Sequence, residues 1–120
     1  MKILIVDDST AMRMIVKKTL RLAGCEGHDI TECEDGAKAL AAIKTSKPDL
    51  VLSDWNMPNM TGLQLLEALS ADGVKLTFGF ITTEATPDMR AKAIGAGAKF
   101  LVSKPFTPES FKEHLGAHIR

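Results

Sequence analysis

Two aspartates, Asp7 and Asp8, follow the apolar run Ile3-Leu4-Ile5-Val6, and a third, Asp54, follows Leu50-Val51-Leu52-Ser53. Later, the run Leu76–Ile81 leads into Thr82 and Thr83, and Phe100–Ser103 leads into Lys104. Each apolar run therefore ends in a side chain that carries charge or a hydroxyl. If one fold collects these ends, three carboxylates stand together, and each like-charge pair near 4 Å costs roughly 4 kcal/mol at an effective dielectric of about 20. Such a cluster persists when a hard divalent cation occupies it, and an all-oxygen set favours Mg²⁺ over zinc. A cation, the Lys104 ammonium and the Thr82 hydroxyl around Asp54 suit phosphoryl transfer. Positive groups neutralise the phosphoryl oxygens, the hydroxyl donates to one of them, and the carboxylate attacks phosphorus.

The elements that must bring these residues together are legible from periodicity and punctuation. After the first strand, Ser9 or Thr10 caps a helix running to about Ala23, with Met12, Ile15, Val16, Thr19 and Ala23 on its inner face. Arg13, Lys17, Lys18 and Arg21 fall on its outer surface, as a solvated face or a docking surface for an acidic partner, and Gly24 stops it. Ile30–Cys33 forms the second strand, and Asp35-Gly36 opens a helix through about Thr45. Leu50–Leu52 is a buried third strand. Thr61 caps a helix bearing Leu63, Leu66 and Leu69, ended by Asp72-Gly73. Leu76–Ile81 is the fourth strand, with Gly79 a weak point inside it.

Thr86-Pro87-Asp88 begins the fourth helix with a capping hydroxyl, a proline at the first helical position and an acid on the positive end of the dipole, and Gly97 closes it. Phe100–Ser103 is the fifth strand. Thr107-Pro108-Glu109 starts the last helix, with Phe106 and Phe111 as a hydrophobic staple and Phe111, Leu115 and Ile119 as its inner stripe. Five strands alternating with five helices predict an α/β fold: a doubly wound parallel sheet with right-handed crossovers. In the flavodoxin-like order 2-1-3-4-5, strand addition reverses between strands 1 and 3, and ligands bind in that crevice beyond the carboxyl ends. Those are the ends that carry Asp7-Asp8 and Asp54.

The bulk properties narrow the function. A chain of 120 residues supports one domain with a real core, and fifteen Lys plus Arg balance fifteen Asp plus Glu. With no basic tract, nucleic-acid and anionic-membrane partners are not expected. The opening apolar run of four residues meets two aspartates, so it reads as neither a signal peptide nor a membrane span. Cys25 and Cys33 form no C-x-x-C and read as reduced, packed thiols, which implies the cytoplasm. His28, His114 and His118 are scattered and read as surface residues, and the methionines as core and loop filling.

Taken together, Asp7-Asp8, Asp54, Asn56-Met57-Pro58, Thr82 and Lys104-Pro105 resemble the receiver domain of two-component response regulators, and Ser53 to Gly62 is most similar to the chemotaxis branch of that family. Receivers of this type are themselves a standard instance of the 2-1-3-4-5 order. The resemblance covers the full chain and implies one receiver domain over residues 1–120, with no output domain and a monomeric state. It implies that Asp54 accepts a phosphoryl group from a phosphohistidine on a sensor histidine kinase. Mg²⁺ would be held by Asp8, Asp54 and the backbone carbonyl of Asn56, with Asp7 assisting through water. Thr82 would move to bond the phosphoryl group and Lys104 would pair with it, aimed by a cis Lys104-Pro105 bond. Asn56 and Glu84 would tune hydrolysis of the acyl phosphate. A downstream protein would read the face built by the fourth helix, fifth strand and fifth helix.

At the position where receivers usually place a switching Tyr or Phe, this chain has Leu101. Strand alternation turns Phe100 to the opposite side. The resulting expectation is a stand-alone receiver that catalyses only its own phosphorylation and dephosphorylation, in chemotaxis-type or related signalling, or one acting as a phosphate sink. A small Mg²⁺-dependent aspartyl-phosphate phosphatase would need a D-x-D strand end and a substrate cap. A flavin binder would need a hydroxyl- and glycine-rich loop after strand 1, where Asp7-Asp8 would repel phosphate.

Overall fold

The computed structural model describes residues 2–24, 27–57, 59–74, 76–83, 86–104 and 106–115. The expectations for Cys25, Pro58, Glu84, the Lys104-Pro105 bond, His118 and Ile119 lie outside them. The elements run β1 Lys2–Val6, α1 Thr10–Leu22, β2 Asp29–Cys33, α2 Gly36–Ser46, β3 Leu50–Ser53, α3 Gly62–Ala71, β4 Thr77–Thr82, α4 Pro87–Ala96, β5 Phe100–Ser103 and α5 Pro108–Leu115. The strands pair in parallel in the order β2-β1-β3-β4-β5. Among the described residues no helix is long and apolar enough to cross a membrane.

Strand alternation divides the core into two layers. Leu4, Val6, Val51, Phe78, Phe80 and Leu101 face α2, α3 and α4. Ile3, Ile5, Leu50, Leu52, Ile81, Phe100 and Val102 face α1 and α5. Leu101 and Phe100 thus point to opposite faces. β2, at the sheet edge, is mostly exposed.

Local chemistry sets the helix ends. Ser9, Asp35, Thr61 and Thr86 each accept a backbone N–H from the first turn of α1, α2, α3 and α4. At α3 the cap is reciprocal, since Gln64 accepts the N–H of Thr61. Thr107 and Ser110 exchange the same pair of bonds at α5, where the Phe106 and Phe111 rings stack at 4.6 Å.

Five expectations about packing are corrected. Ile15 is 48% exposed, and Leu20 takes its place in the core beside Val16 and Thr19. Ile15 follows the exposed Met14, one step of about 100° off the stripe that Met12, Val16, Leu20 and Ala23 direct at the sheet. On α3, Leu65 is fully buried while Leu63 is half-buried, because Leu65, with Leu66 and Leu69, is the residue that enters the cluster on that face of the sheet. His28 and His114 are half-buried rather than on the surface, and Met14 is exposed rather than filling. Gly79 is not a weakness in β4. It pairs with Phe100 across the parallel ladder, and a Cβ there would lie 2.0 Å from the Phe100 ring, so the missing side chain makes room for an aromatic one.

Candidate functional site

The backbone ladder continues one residue past three strand ends and fixes the functional residues by their amides. Asp7 donates its N–H to the Cys33 carbonyl at 3.1 Å, Asp54 to Val6 at 2.9 Å and Lys104 to Thr82 at 2.8 Å. With Val6 opposite Ser53 and Thr82 opposite Ser103, the residues after β1, β3 and β5 emerge at one rim. Thr82 ends β4 beside them and is fully buried.

Side chains complete the arrangement. One carboxylate oxygen of Asp7, Oδ1, accepts the Ser9 N–H at 2.9 Å, and Oδ2 faces Lys104 Nζ at 3.3 Å. Asp54 Oδ1 accepts the N–H of Trp55 at 2.7 Å, and Oδ2 lies 3.5 Å from the same ammonium. Lys104 therefore bridges two carboxylates that would otherwise repel. Asp8 is exposed at the mouth of the site. Trp55 is half-buried, with its ring 4.8 Å from that of Phe80. Asn56 is exposed in the segment after β3.

Burial pushes the Asp54 carboxyl above the ordinary value, and the Asp7 charge adds to this. Lys104 and the Trp55 N–H oppose the shift without overcoming it. An ionised Asp54 is thus short of positive charge, a condition that a bound cation relieves.

The donor set fits such a cation. One oxygen from each of Asp7, Asp8 and Asp54 lies within 4.8 Å of the others. Opposite ligands on one Mg²⁺ span about 4.2 Å, so a small contraction, or a water in place of one direct bond, closes the set. Asp7 is buried, Asp54 half-buried and Asp8 exposed, so the set is reached from solvent on the side of Asp8 and Asp54.

Sequence reasoning missed one participant. Arg13, expected on the outer surface, donates to the Asp7 carbonyl, to Thr10 Oγ1 at 3.0 Å and to Glu32 at 3.1 Å. It ties α1 and β2 to the residue that opens the site. Lys17 joins the same Glu32 at 2.9 Å and, as the largest cause, holds that carboxyl below the usual range. Only the strand pairing places Glu32 there, so no local spacing would have found the contact. Lys18 and Arg21 remain exposed. Cys33 is a free, half-buried thiol whose pKa is raised, first by burial and then by Asp35, which disfavours the reactive thiolate.

The structure thus joins a doubly wound parallel sheet to an acidic cluster and a lysine at its carboxyl rim. The family model described as response regulator receiver domain matches residues 3–116, and the chain belongs to that family. It is 42% identical over 117 residues, 96% of this chain and 93% of the relative, to the chemotaxis protein CheY of Pseudomonas aeruginosa. To CheY-3 of Vibrio cholerae it is 43% identical, covering 96% of this chain and 88% of the relative. Among solved structures, Vibrio cholerae CheY4 superposes with a TM-score of 0.85 at 32% identity, covering 98% of both chains. The signal receiver domain of a putative Luxo repressor protein from Vibrio parahaemolyticus gives 0.89 at 26% identity, covering 98% of this chain and 88% of that one.

Proposed function

We propose that this receiver accepts a phosphoryl group on Asp54 from a histidine kinase and thereby controls binding to a downstream protein, in chemotaxis-type or related two-component signalling. The observation that carries the reading is the placement of the Lys104 ammonium 3.5 Å from Asp54, inside a cluster of three carboxylates at the rim of the sheet. An oxygen of Asp54 forms the new bond to phosphorus as the phosphorus–nitrogen bond of the donor phosphohistidine breaks, and the imidazole leaves with the electron pair. Lys104 turns from the carboxylates to the phosphoryl oxygens, and the Thr82 hydroxyl donates to another of them. Asp8, Asp54 and the Asn56 carbonyl would hold Mg²⁺, with Asp7 acting through water. When bound, the cation supplies neutralisation of the phosphoryl charge. Asn56 and Glu84 bear on how fast water removes the group. The face built from α4, β5 and α5 is the surface for the downstream partner.

The test is labelling with a small acyl phosphate and Mg²⁺. Phosphate should appear on Asp54 alone and disappear in Asp54→Asn, with Trp55 fluorescence changing in step. Mass spectrometry placing it on Ser53 or Thr82 would overturn the mechanism. Mg²⁺ at a hundredfold excess over its dissociation constant should add about 2.7 kcal/mol of stability, because it binds only the folded chain. Asp8→Ala should abolish that increment. An equal increment in the variant would place the cation elsewhere.

A further inference from the structure

Asp35 caps α2 with one carboxylate oxygen and uses the other on a distant segment. Oδ1 accepts the Lys38 N–H at 2.8 Å, while Oδ2 accepts the side-chain amide of Asn59 at 3.3 Å. Asp35 is only 5% exposed, so withdrawing either donor strands a buried carboxylate oxygen. Asn59 lies between β3 and α3 with φ +67°, a left-handed conformation that asparagine tolerates better than most residues. The neighbouring residues repeat the contact. A Cβ on Gly36 would lie 2.7 Å from the Met60 carbonyl oxygen, so the start of α2 and this segment meet at backbone distance.

The segment held in this way carries Asp54, Trp55 and Asn56. Its two ends are fixed by other means: the Asp54 N–H on Val6, the Gly62 N–H on the Trp55 carbonyl, and the reciprocal cap at Thr61. The bond from Asn59 to Asp35 restrains the stretch between those ends, which includes Asn56.

We infer that Asp35 and Asn59 are a positioning pair for the cation site. They restrain the segment after β3 that carries Asn56, the residue whose carbonyl the phosphoacceptor reading gives to the cation, without either side chain touching the cation. The inference rests on the phosphoacceptor reading above. It makes the start of α2 a determinant of cation affinity, although α2 contributes no ligand.

Two variants separate this role from bracing of the fold. Asn59→Gly keeps the left-handed backbone and deletes the amide. Asp35→Ser keeps a capping hydroxyl for α2 and is too short to reach Asn59. Each should raise the Mg²⁺ dissociation constant, followed by Trp55 fluorescence, by about tenfold, the range seen when the outer partners of metal ligands are removed. The double variant should be no weaker than the weaker single one, since both remove one bond. In metal-free protein, acrylamide should quench Trp55 more readily in both variants than in wild type. A lowered metal-free melting temperature with an unchanged dissociation constant, additive losses, or unchanged quenching overturns the inference. A wild-type chain with no Mg²⁺ response overturns the phosphoacceptor reading instead, and the quenching comparison then decides whether the pair positions the segment.

Discussion

The Nζ of Lys104 stands 3.3 Å from Oδ2 of Asp7, a residue 97 positions earlier in the chain. Both side chains are nearly buried, so the pair offsets part of the hydration that each has lost. Lys104→Met leaves the Asp7 carboxylate, among the described residues, with the Ser9 N–H and removes the cation that separates it from Asp54. The metal-free protein should lose about 2–3 kcal/mol, read as a lower urea midpoint at neutral pH. Mg²⁺ should recover part of the loss by restoring positive charge. An unchanged midpoint would mean that the ion pair contributes nothing.

Asp54 makes metal-free stability depend on pH in a defined direction. Burial, aided by Asp7, raises its folded pKa above the ordinary 3.8, against Lys104 and the Trp55 N–H. Between those two values the folded chain retains a proton that the unfolded chain has released. Stability from this group is therefore greatest below the ordinary value and declines as pH rises through the folded one. At neutral pH, Asp54→Asn should melt at a higher temperature than wild type in the presence of a chelator. The advantage should shrink on acidification toward the ordinary carboxylate value. A variant that is no more stable than wild type at neutral pH contradicts the balance of forces at this residue.

Gly79→Ala tests the aromatic packing between β4 and β5. The added methyl would meet Phe100 ring carbons at 2.0–2.6 Å, and overpacking of this kind costs about 3 kcal/mol. Combining it with Phe100→Leu should give a protein more stable than Gly79→Ala alone. If the glycine variant melts like wild type, the ring has another place to go.

Leu101 is fully buried against the α3 and α4 side of the sheet, in one cluster with Ala93 and Ala98. Leucine offers less contact area than an aromatic ring and no polar tip, so any inward and outward positions at residue 101 are expected to differ less in energy than those of an aromatic ring. Moving a two-state equilibrium from 1:99 to 99:1 takes about 5.5 kcal/mol of differential interaction, and weaker coupling gives a partial shift. With a beryllofluoride-type phosphoryl mimic, amide shifts should change more after β4 and along α4 than along β5 and α5. Leu101→Tyr should extend them across β5 and α5. A complete response in wild type, with nothing added by tyrosine, would show that leucine is no obstacle to switching.

What the sequence determined by itself was whatever depends on neighbours within about one helical turn or on strict alternation. The caps at Ser9, Asp35, Thr61, Thr86 and Thr107, the strand ends carrying Asp7, Asp54, Thr82 and Lys104, and the opposite facing of Phe100 and Leu101 are of this kind. Alternating strands and helices narrowed the topologies to doubly wound sheets, and the order 2-1-3-4-5 came with the resemblance to receivers.

The tertiary structure decided what depends on which surfaces meet. Periodicity admits both Ile15 and Leu20 to the inner face of α1, and only contact with the sheet and α5 excludes the first. Gly79 has the same composition signal whether it weakens a strand or seats Phe100. Arg13 looks like any exposed cation until the pairing of β1 with β2 sets Glu32 within reach, and the second oxygen of Asp35 has no local partner to announce Asn59. These contacts join residues far apart in sequence. Their energy comes from burial and desolvation that exist only once the sheet and its two helical layers have closed.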